Sequence, residues 1–313
     1  MFNPFDLEIL VTNSDLRPFD LNVMRSDMTR YSCSLFFLTR MMLSLLLIAL
    51  LAAGLESSNP ARGAELTARE VTATLFRAKP SQRVDFSSRD MRFFDLSDLD
   101  FKKANLADTD LYGADLTHAN LSHTILSGAR LDRTTIIGAE FNGANMAKVT
   151  LLRPTTSSNF SRYSFNQNDS VSFVGANLSG ARFIAVLDGS DFSNANLRDS
   201  DFSPLERRGS QWATVPRSQL MSANFTGANL QRANFNRAFM PFAKFIDADL
   251  GHTSFKNTDL SSADLTGADI TGADFTGAIM AGVKFNGVTG QASAKGLSLW
   301  LSTLKAPSVS NEH

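Results

Sequence analysis

The sequence has one cysteine, Cys33, and only four histidines in 313 residues. One cysteine excludes a disulfide within the chain and a metal site built from several thiolates. Charge is nearly balanced, with a formal net charge of -1, and residues 65–313 contain 25 basic and 25 acidic residues. A neutral body carries neither the basic excess that favours nucleic acid nor the acidic excess that would mimic it.

Motifs of the common enzyme classes are also missing from the sequence. It contains no G-x-S-x-G nucleophile turn, no phosphate-binding glycine loop, no H-E-x-x-H pair and no EF-hand loop. We therefore predict a protein that is not an enzyme and that holds no cofactor and no metal.

The N-terminal region contains the one long uncharged apolar run, Leu43–Leu55. Arg40 precedes it and the turn-prone stretch NPARGAE follows, which is typical of a secretory signal peptide. As a helix the run would span about 20 Å, short of the ~30 Å hydrocarbon layer of a membrane. We expect residues 1–63 to be an extension that is removed after export, with an uncleaved anchor as the alternative.

Export would place the protein in the periplasm, outside the cell or in an equivalent lumen. Cleavage after Gly63 or within residues 52–54 fits the small residues there. Membrane contact is expected only through residues 43–55, if they are retained. The polar stretch before Arg40 is long for a signal peptide, so Met28, Met41 and Met42 are candidate true starts.

From Phe86 onward a large apolar residue recurs at every fifth position, in two unbroken runs of 14. Two positions before each apolar residue the sequence usually has a small residue, and immediately before it often Asp or Asn. Two positions after it the sequence often has Gly. The runs are Phe86, Met91, Leu96, Phe101, Leu106, Leu111, Leu116, Leu121, Leu126, Leu131, Ile136, Phe141, Met146 and Leu151, then Leu220, Phe225, Leu230, Phe235, Met240, Phe245, Leu250, Phe255, Leu260, Leu265, Ile270, Phe275, Met280 and Phe285.

A period of five fits neither regular secondary structure. On a helix every fifth residue advances 140°, so the apolar positions scatter round the axis, and on a strand they alternate between faces. A chain that bends between successive apolar residues and coils round one axis buries them all, as solenoid repeats do.

The segments ADLTG, ADITG, ADFTG, ANFTG, ANLQR and ADLTH resemble the pentapeptide-repeat family, over about residues 84–287. The resemblance implies an all-β fold, a right-handed four-sided parallel β-helix with four pentapeptides per coil. Residues 20 apart would then stack, so that Phe235, Phe255 and Phe275 form one interior column and Phe225 and Phe245 belong to another. We interpret these phenylalanines as core.

Four aspartates stand five residues apart in the last repeats: Asp259, Asp264, Asp269 and Asp274. Even spacing first suggests a metal or acid/base site. In a four-sided coil, however, the four would lie on different sides, and Asp or Asn beside a turn commonly accepts hydrogen bonds from nearby backbone N–H groups. We predict that these aspartates stabilise the turns by accepting such hydrogen bonds.

We divide the chain into the extension 1–63, an N-terminal cap 64–83, a β-helix 84–290 and a C-terminal cap and tail 291–313. Short helices are expected in both caps, with Leu66, Val71, Leu75 and Phe76 on the apolar face of the first. Interruptions are expected at 152–159 and 203–219. Candidate interaction residues lie in the second interruption: Arg207, Arg208, Trp212 and Arg217.

These features favour an exported, non-enzymatic scaffold that binds a protein and no nucleic acid. Two alternatives remain at this point. Some members of the family mimic DNA and inhibit topoisomerases, which implies a cytoplasmic, strongly acidic protein. Other parallel β-helices act on polysaccharides through clustered carboxylates. The sequence leaves the partner and the oligomeric state open.

Overall fold

The computed structural model describes residues 66–79, 82–158, 169–205 and 216–297, all within the unit Leu66–His313. Regular elements in this part are one helix, α1 (Ala68–Arg77), and two short strands, β1 (Thr150–Leu152) and β2 (Arg182–Ile184). The two strands pair in parallel. Everywhere else the backbone pairs through single parallel bridges, mostly between residues 20 apart.

The bridges form four columns, which the chain visits in turn at steps of five residues. Column 1 runs from Asp85 to Thr289, column 2 from Asp90 to Lys295, column 3 from Asp95 to Ile279, and column 4 from Asp100 to Lys284. One pass through the four columns is a coil, and we number the coils from the one that begins at Asp85. The ninth coil begins at Asp269, so the repeat forms a stack of parallel coils.

The core contains the residue that follows each bridge position. The predicted apolar residues of both runs are buried, apart from Phe285 in the last coil, which is partly buried. Alanines at the small position fill the space beside them. The predicted interior position of the five-residue repeat is therefore confirmed.

Phenylalanines form two parallel stacks along the core, with neighbouring ring centroids 4.3 to 5.5 Å apart. Rings of one stack meet rings of the other edge to face, which is a favourable arrangement of aromatic quadrupoles. The predicted stacking of Phe235, Phe255 and Phe275, and of Phe225 and Phe245, is confirmed. The stacks are Phe141, Phe173, Phe192, Phe225 and Phe245, and Phe183, Phe202, Phe235, Phe255 and Phe275.

The first coil is covered by α1. Its N-terminus has a capping box, in which Thr67 accepts from the backbone N–H of Glu70 and the Glu70 carboxylate accepts from the N–H of Thr67. Val71 and Leu75 are buried against the core. The expectation for Phe76 is wrong, because this side chain is 87% exposed: it follows Leu75 by one residue and so points about 100° away from the buried stripe.

Coil 5 is one residue short between columns 2 and 3, because Val186 follows Arg182 by four positions instead of the usual five. At this place the tight turn is replaced by β2, which pairs with β1 of coil 4, Leu152 opposite Ile184. A shortened connection leaves no room for the usual turn, so the backbone stays extended.

Two coils carry surplus residues. In coil 4 the surplus lies between Thr155 of column 3 and Ser172 of column 4. The interruption predicted at 152–159 therefore begins too early, since Leu152 belongs to β1 and Thr155 still pairs with Thr135.

The surplus of coil 6 lies between Asp201 of column 2 and Gln219 of column 3. Gln219 itself pairs with Val186 and Phe239, so the coil has resumed by that residue.

At the C-terminal end the pairing continues beyond the predicted limit of residue 290, because the N–H of Phe275 donates to the carbonyl of Lys295. Leu297 is buried. The predicted extension 1–63, and the part of the predicted C-terminal cap and tail beyond residue 297, lie outside the described residues. No helix of the part that is described is long and apolar enough to cross a membrane.

Candidate interaction surface

Of the four predicted interaction residues, only Arg217 falls in the described part of the chain; Arg207, Arg208 and Trp212 lie outside it. Arg217 is exposed. Its guanidinium carbon lies 4.8 Å from the ring centroid of Phe239, within the range of a cation–π contact. Phe239 occupies column 3, so the end of the second interruption rests on this column.

The row of four aspartates is distributed over all four columns. Oδ1 of each accepts from the backbone N–H two residues later, at 2.9 to 3.1 Å, and from the hydroxyl of the same residue at 2.6 Å. The hydroxyl and N–H of Thr271 hold the pKa of Asp269 below its ordinary value. The prediction that these carboxylates accept hydrogen bonds from their own turns is confirmed.

Aspartates of neighbouring coils also stand next to each other along the columns, where their backbones pair. Asp95 pairs with Asp115, and Asp249 with Asp269. Each of the four accepts a hydrogen bond from the backbone of its own turn. Within the described ranges, no group of three or more His, Cys, Asp or Glu residues is placed to hold a metal ion.

Basic and acidic side chains alternate at the C-terminal end of column 4. Asn224, Lys244, Asp264 and Lys284 follow one another there, and Lys284 Nζ lies 3.2 Å from Asp264 Oδ2. This surface is therefore locally neutral, as its sequence predicts.

Large apolar side chains are exposed mainly around column 3. Six in the described part are at least 42% exposed. Val186 and Ile279 belong to column 3, and Phe93 and Phe242 lie in turns that lead into it and out of it. Leu205 lies in the surplus segment that leads into column 3 in coil 6. The sixth, Phe76, is on α1.

Sequence reasoning missed this surface, although a signal was present. Val186 and Ile279 stand where the repeat usually has Asp or Asn, and Phe93 and Phe242 stand at the turn position usually taken by Gly or a small polar residue. Both phenylalanines adopt φ of +61°, a conformation that bulky residues rarely adopt.

Asp188 lies in the turn that leaves column 3 in coil 5. Burial raises the pKa of its carboxyl, and the backbone N–H of Met221, which donates to Oδ1 at 2.7 Å, opposes that rise only in part. A partly desolvated carboxyl therefore borders the exposed apolar side chains.

The family model for pentapeptide repeats matches eight copies, over residues 82–117, 114–151, 169–203, 218–240 and 243–282. The chain belongs to the pentapeptide-repeat family. The resemblance stated from the sequence is confirmed. The matches stop at 151 and 203 and resume at 169 and 218, so the family pattern is lost where coils 4 and 6 carry surplus residues.

Solved pentapeptide-repeat structures resemble the chain at low identity. HetL, involved in heterocyst differentiation regulation in the cyanobacterium Nostoc sp., is 22% identical, with 74% of this chain and 94% of HetL covered and a TM-score of 0.30. Rfr23 from the cyanobacterium Cyanothece is 23% identical, with 50% and 90% covered and a TM-score of 0.32.

QnrB1, a plasmid-mediated fluoroquinolone resistance protein, is 16% identical in its full-length form. The match covers 71% of this chain and 98% of QnrB1, with a TM-score of 0.29. None of these likenesses transfers a function to this pentapeptide-repeat protein. No curated protein matches the chain.

Proposed function

We propose that this pentapeptide-repeat protein is an exported, non-enzymatic scaffold that binds a partner protein. Its coils would wind as the right-handed, four-sided parallel β-helix of the family. One observation carries the proposal: the repeat carboxylates, which are the most numerous candidate catalytic groups, are hydrogen-bonded to their own turns and face in four directions. Groups held in this way supply structure rather than a converging acid/base pair.

A rigid body with loops is a common basis for protein recognition, because loops on a fixed scaffold vary without disturbing the core. The second interruption supplies the candidate contacts Arg207, Arg208, Trp212 and Arg217. Trp and Arg are the residue types most enriched among residues that dominate interface affinity.

The partner contact can be tested by purifying the tagged full-length protein, with whatever is bound, from its native cells. Arg207→Glu, Arg208→Glu and Trp212→Ala combined are expected to remove the co-purifying protein. Lys148→Glu, an exposed site between columns 1 and 2, is the control and should leave it bound. Unchanged co-purification with the triple variant would show that the second interruption does not bind the partner.

Export is supported by the apolar run Leu43–Leu55, its basic flank and the small residues after it. A reporter that is active only outside the cytoplasm, fused after Glu70, should be active. Mass spectrometry of the mature protein should find no peptide from residues 2–17. A reporter confined to the cytoplasm would contradict export.

The DNA-mimic alternative needs a continuous acidic surface. Against it stand the neutral composition of residues 65–313 and the lysines that alternate with Asp264 along column 4. The purified protein is therefore expected not to inhibit a type II topoisomerase in a supercoiling assay. Inhibition at stoichiometric concentrations would favour the alternative.

A further inference from the structure

The two places where the coils carry surplus residues lie at the two edges of column 3. In coil 4 the chain leaves the repeat after Thr155 of column 3 and returns at Ser172 of column 4. In coil 6 it leaves after Asp201 of column 2 and returns at Gln219 of column 3. Coil 5 lies between coils 4 and 6, and its column-3 residue is Val186. The carbonyl of Val186 accepts a hydrogen bond from the hydroxyl of Thr156.

In both coils, hydrogen bonds hold the chain at the place where it leaves the repeat. In coil 4 the N–H and the hydroxyl of Ser158 both donate to the Asp169 carboxylate, at 2.9 and 2.8 Å. These bonds join the two ends of the surplus segment. In coil 6 the carbonyls of Asp201 and Ser203 accept hydrogen bonds from Arg182. The column-3 surface between these two places is therefore a fixed part of the scaffold.

From coil 5 to coil 9 column 3 carries three apolar residues, with Gln219 between Val186 and Phe239 and Asp259 between Phe239 and Ile279. Val186, Phe239 and Ile279 occupy the column itself, and Phe242 extends the apolar area into the following turn. We call Val186, Arg217, Phe239, Phe242 and Ile279 the column-3 patch. Adjacent coils of such a stack are about 4.8 Å apart, so the patch is about 19 Å long, which matches roughly three to four turns of a helix.

Other columns do not offer such an area. Column 1 carries an amide ladder, in which Asn177 donates to Asn145 and Asn196 donates to Asn177. From coil 5 to coil 9 the residues of the other two columns are also polar: column 2 carries Arg182, Asp201, Asn234, Ser254 and Asp274, and column 4 carries Asp191, Asn224, Lys244, Asp264 and Lys284. Large apolar patches on a soluble protein usually mark a site of interaction.

Arg217 indicates which charge a ligand of the column-3 patch should carry. Its guanidinium lies over Phe239, and among the described residues no carboxylate forms an ion pair with it. A carboxylate from a partner would pair with this guanidinium on an apolar background, where a charge pair is stronger than in open solvent.

We propose that the column-3 patch is a docking surface for a segment of a partner protein that carries an apolar stripe and a carboxylate opposite Arg217. The proposal deepens the proposed scaffold function and rests on it. Phe242 and Ile279 would contact the apolar stripe, and Arg217 would fix its register. This surface adds contacts to the predicted loop residues and locates them along the scaffold.

The test uses a displayed library of random helical and extended peptides, selected against the full-length protein. The selected peptides are expected to combine Leu, Ile, Phe or Met with at least one Asp or Glu. Arg217→Glu and Phe242→Asn should each weaken binding about tenfold or more, as central interface residues do. Asn suits the positive φ at position 242, so that variant should keep its fold.

Two matched controls separate the patch from general surface effects. Lys148→Glu makes the same change of charge between columns 1 and 2, and Phe76→Ala removes from α1 a phenylalanine that is more exposed than Phe242, 87% against 56%. Both should change peptide affinity less than twofold.

Three results would overturn the docking proposal: no binding peptide, binders without acidic residues, or binders unaffected by the Arg217 and Phe242 variants. A concentration-dependent dimer that Phe242→Asn abolishes would also overturn it, since the occupant would then be a second copy of the chain. If the native partner still co-purifies with Arg217→Glu and Phe242→Asn, the docking surface is wrong while the scaffold function stands. If no native partner exists although acidic peptides bind the patch, the scaffold function fails instead.

Discussion

The imidazole of His123 lies over Gly143, the residue at the equivalent turn position one coil later. A Cβ on Gly143 would lie 2.6 Å from Nδ1 of His123, and the φ of Gly143 is +62°. The same relation joins His252 to Gly272 and Asn257 to Gly277. At these three places a side chain at one turn therefore packs against a glycine of the next coil, which leaves no room for a Cβ there.

This relation predicts two separable costs for Gly143→Ala. The positive φ should cost about 1–2 kcal/mol, and displacement of His123 should add about 1 kcal/mol. Gly175→Ala is the control, since its φ is +65° but a Cβ there meets nothing within 4 Å. Urea unfolding should show the larger loss for Gly143→Ala, and the excess should disappear in a His123→Gly background. Equal losses for the two alanine variants would contradict the packing.

Hydroxyl groups at the buried small position provide a second prediction. The hydroxyl of Ser200 is buried and has no hydrogen-bond partner within the described residues, whereas the hydroxyl of Thr258 donates to the carbonyl of Phe235 at 2.7 Å. An unsatisfied buried hydroxyl is costly. Ser200→Ala should therefore raise the free energy of unfolding by about 1 kcal/mol, and Thr258→Val should lower it by a similar amount. A loss of stability in Ser200→Ala would reveal a partner for that hydroxyl.

Much of this packing could be predicted from the sequence. A chain whose apolar residues recur at every fifth position buries them all if it coils round one axis, so the inward positions follow from spacing. The stacking of phenylalanines 20 residues apart follows from the four-sided coil that the family resemblance implies. The hydrogen bonds of Asp264 and its equivalents follow too, because Asp and Asn interchange freely at that position.

The column-3 patch could not be predicted in the same way. Its residues come from coils whose register depends on how many surplus residues precede them. The short step from Arg182 to Val186 and the surplus before Gln219 put Val186 and Phe239 in the same column, which only the backbone pairing reveals. Similarly, helical spacing did not distinguish Leu75, which is buried, from Phe76, which is exposed.

The raised pKa of Asp188 predicts a pH dependence of stability. Because the folded protein holds this proton more tightly than the unfolded chain, the stabilising contribution is complete below the unfolded pKa. It is lost as the pH rises through the folded pKa. Asp188→Asn keeps an acceptor for the N–H of Met221 but cannot ionise, so it should be more stable than the wild type at pH 7 and lose less stability between pH 4 and pH 7.

Thermal unfolding at a series of pH values measures this difference. Asp191→Asn, at a column-4 position in the same coil, is the control for removing one charge. If the curves of Asp188→Asn and the wild type stay parallel from pH 4 to pH 7, Asp188 is not the desolvated group.

The central claim is that the repeat carboxylates stabilise their own turns through hydrogen bonds. The unfolding free energies of Asp269→Asn and Asp269→Ala at pH 7 test this claim most directly. Oδ1 of Asp269 accepts from the N–H and the hydroxyl of Thr271 at 2.9 and 2.6 Å. An asparagine oxygen can accept the same bonds, so Asp269→Asn should stay within about 0.5 kcal/mol of the wild type, and Asp269→Ala should lose about 1 kcal/mol or more. Equal losses for the two variants would contradict the claim, because they would show that the charge, rather than the hydrogen bonds, is what the protein requires.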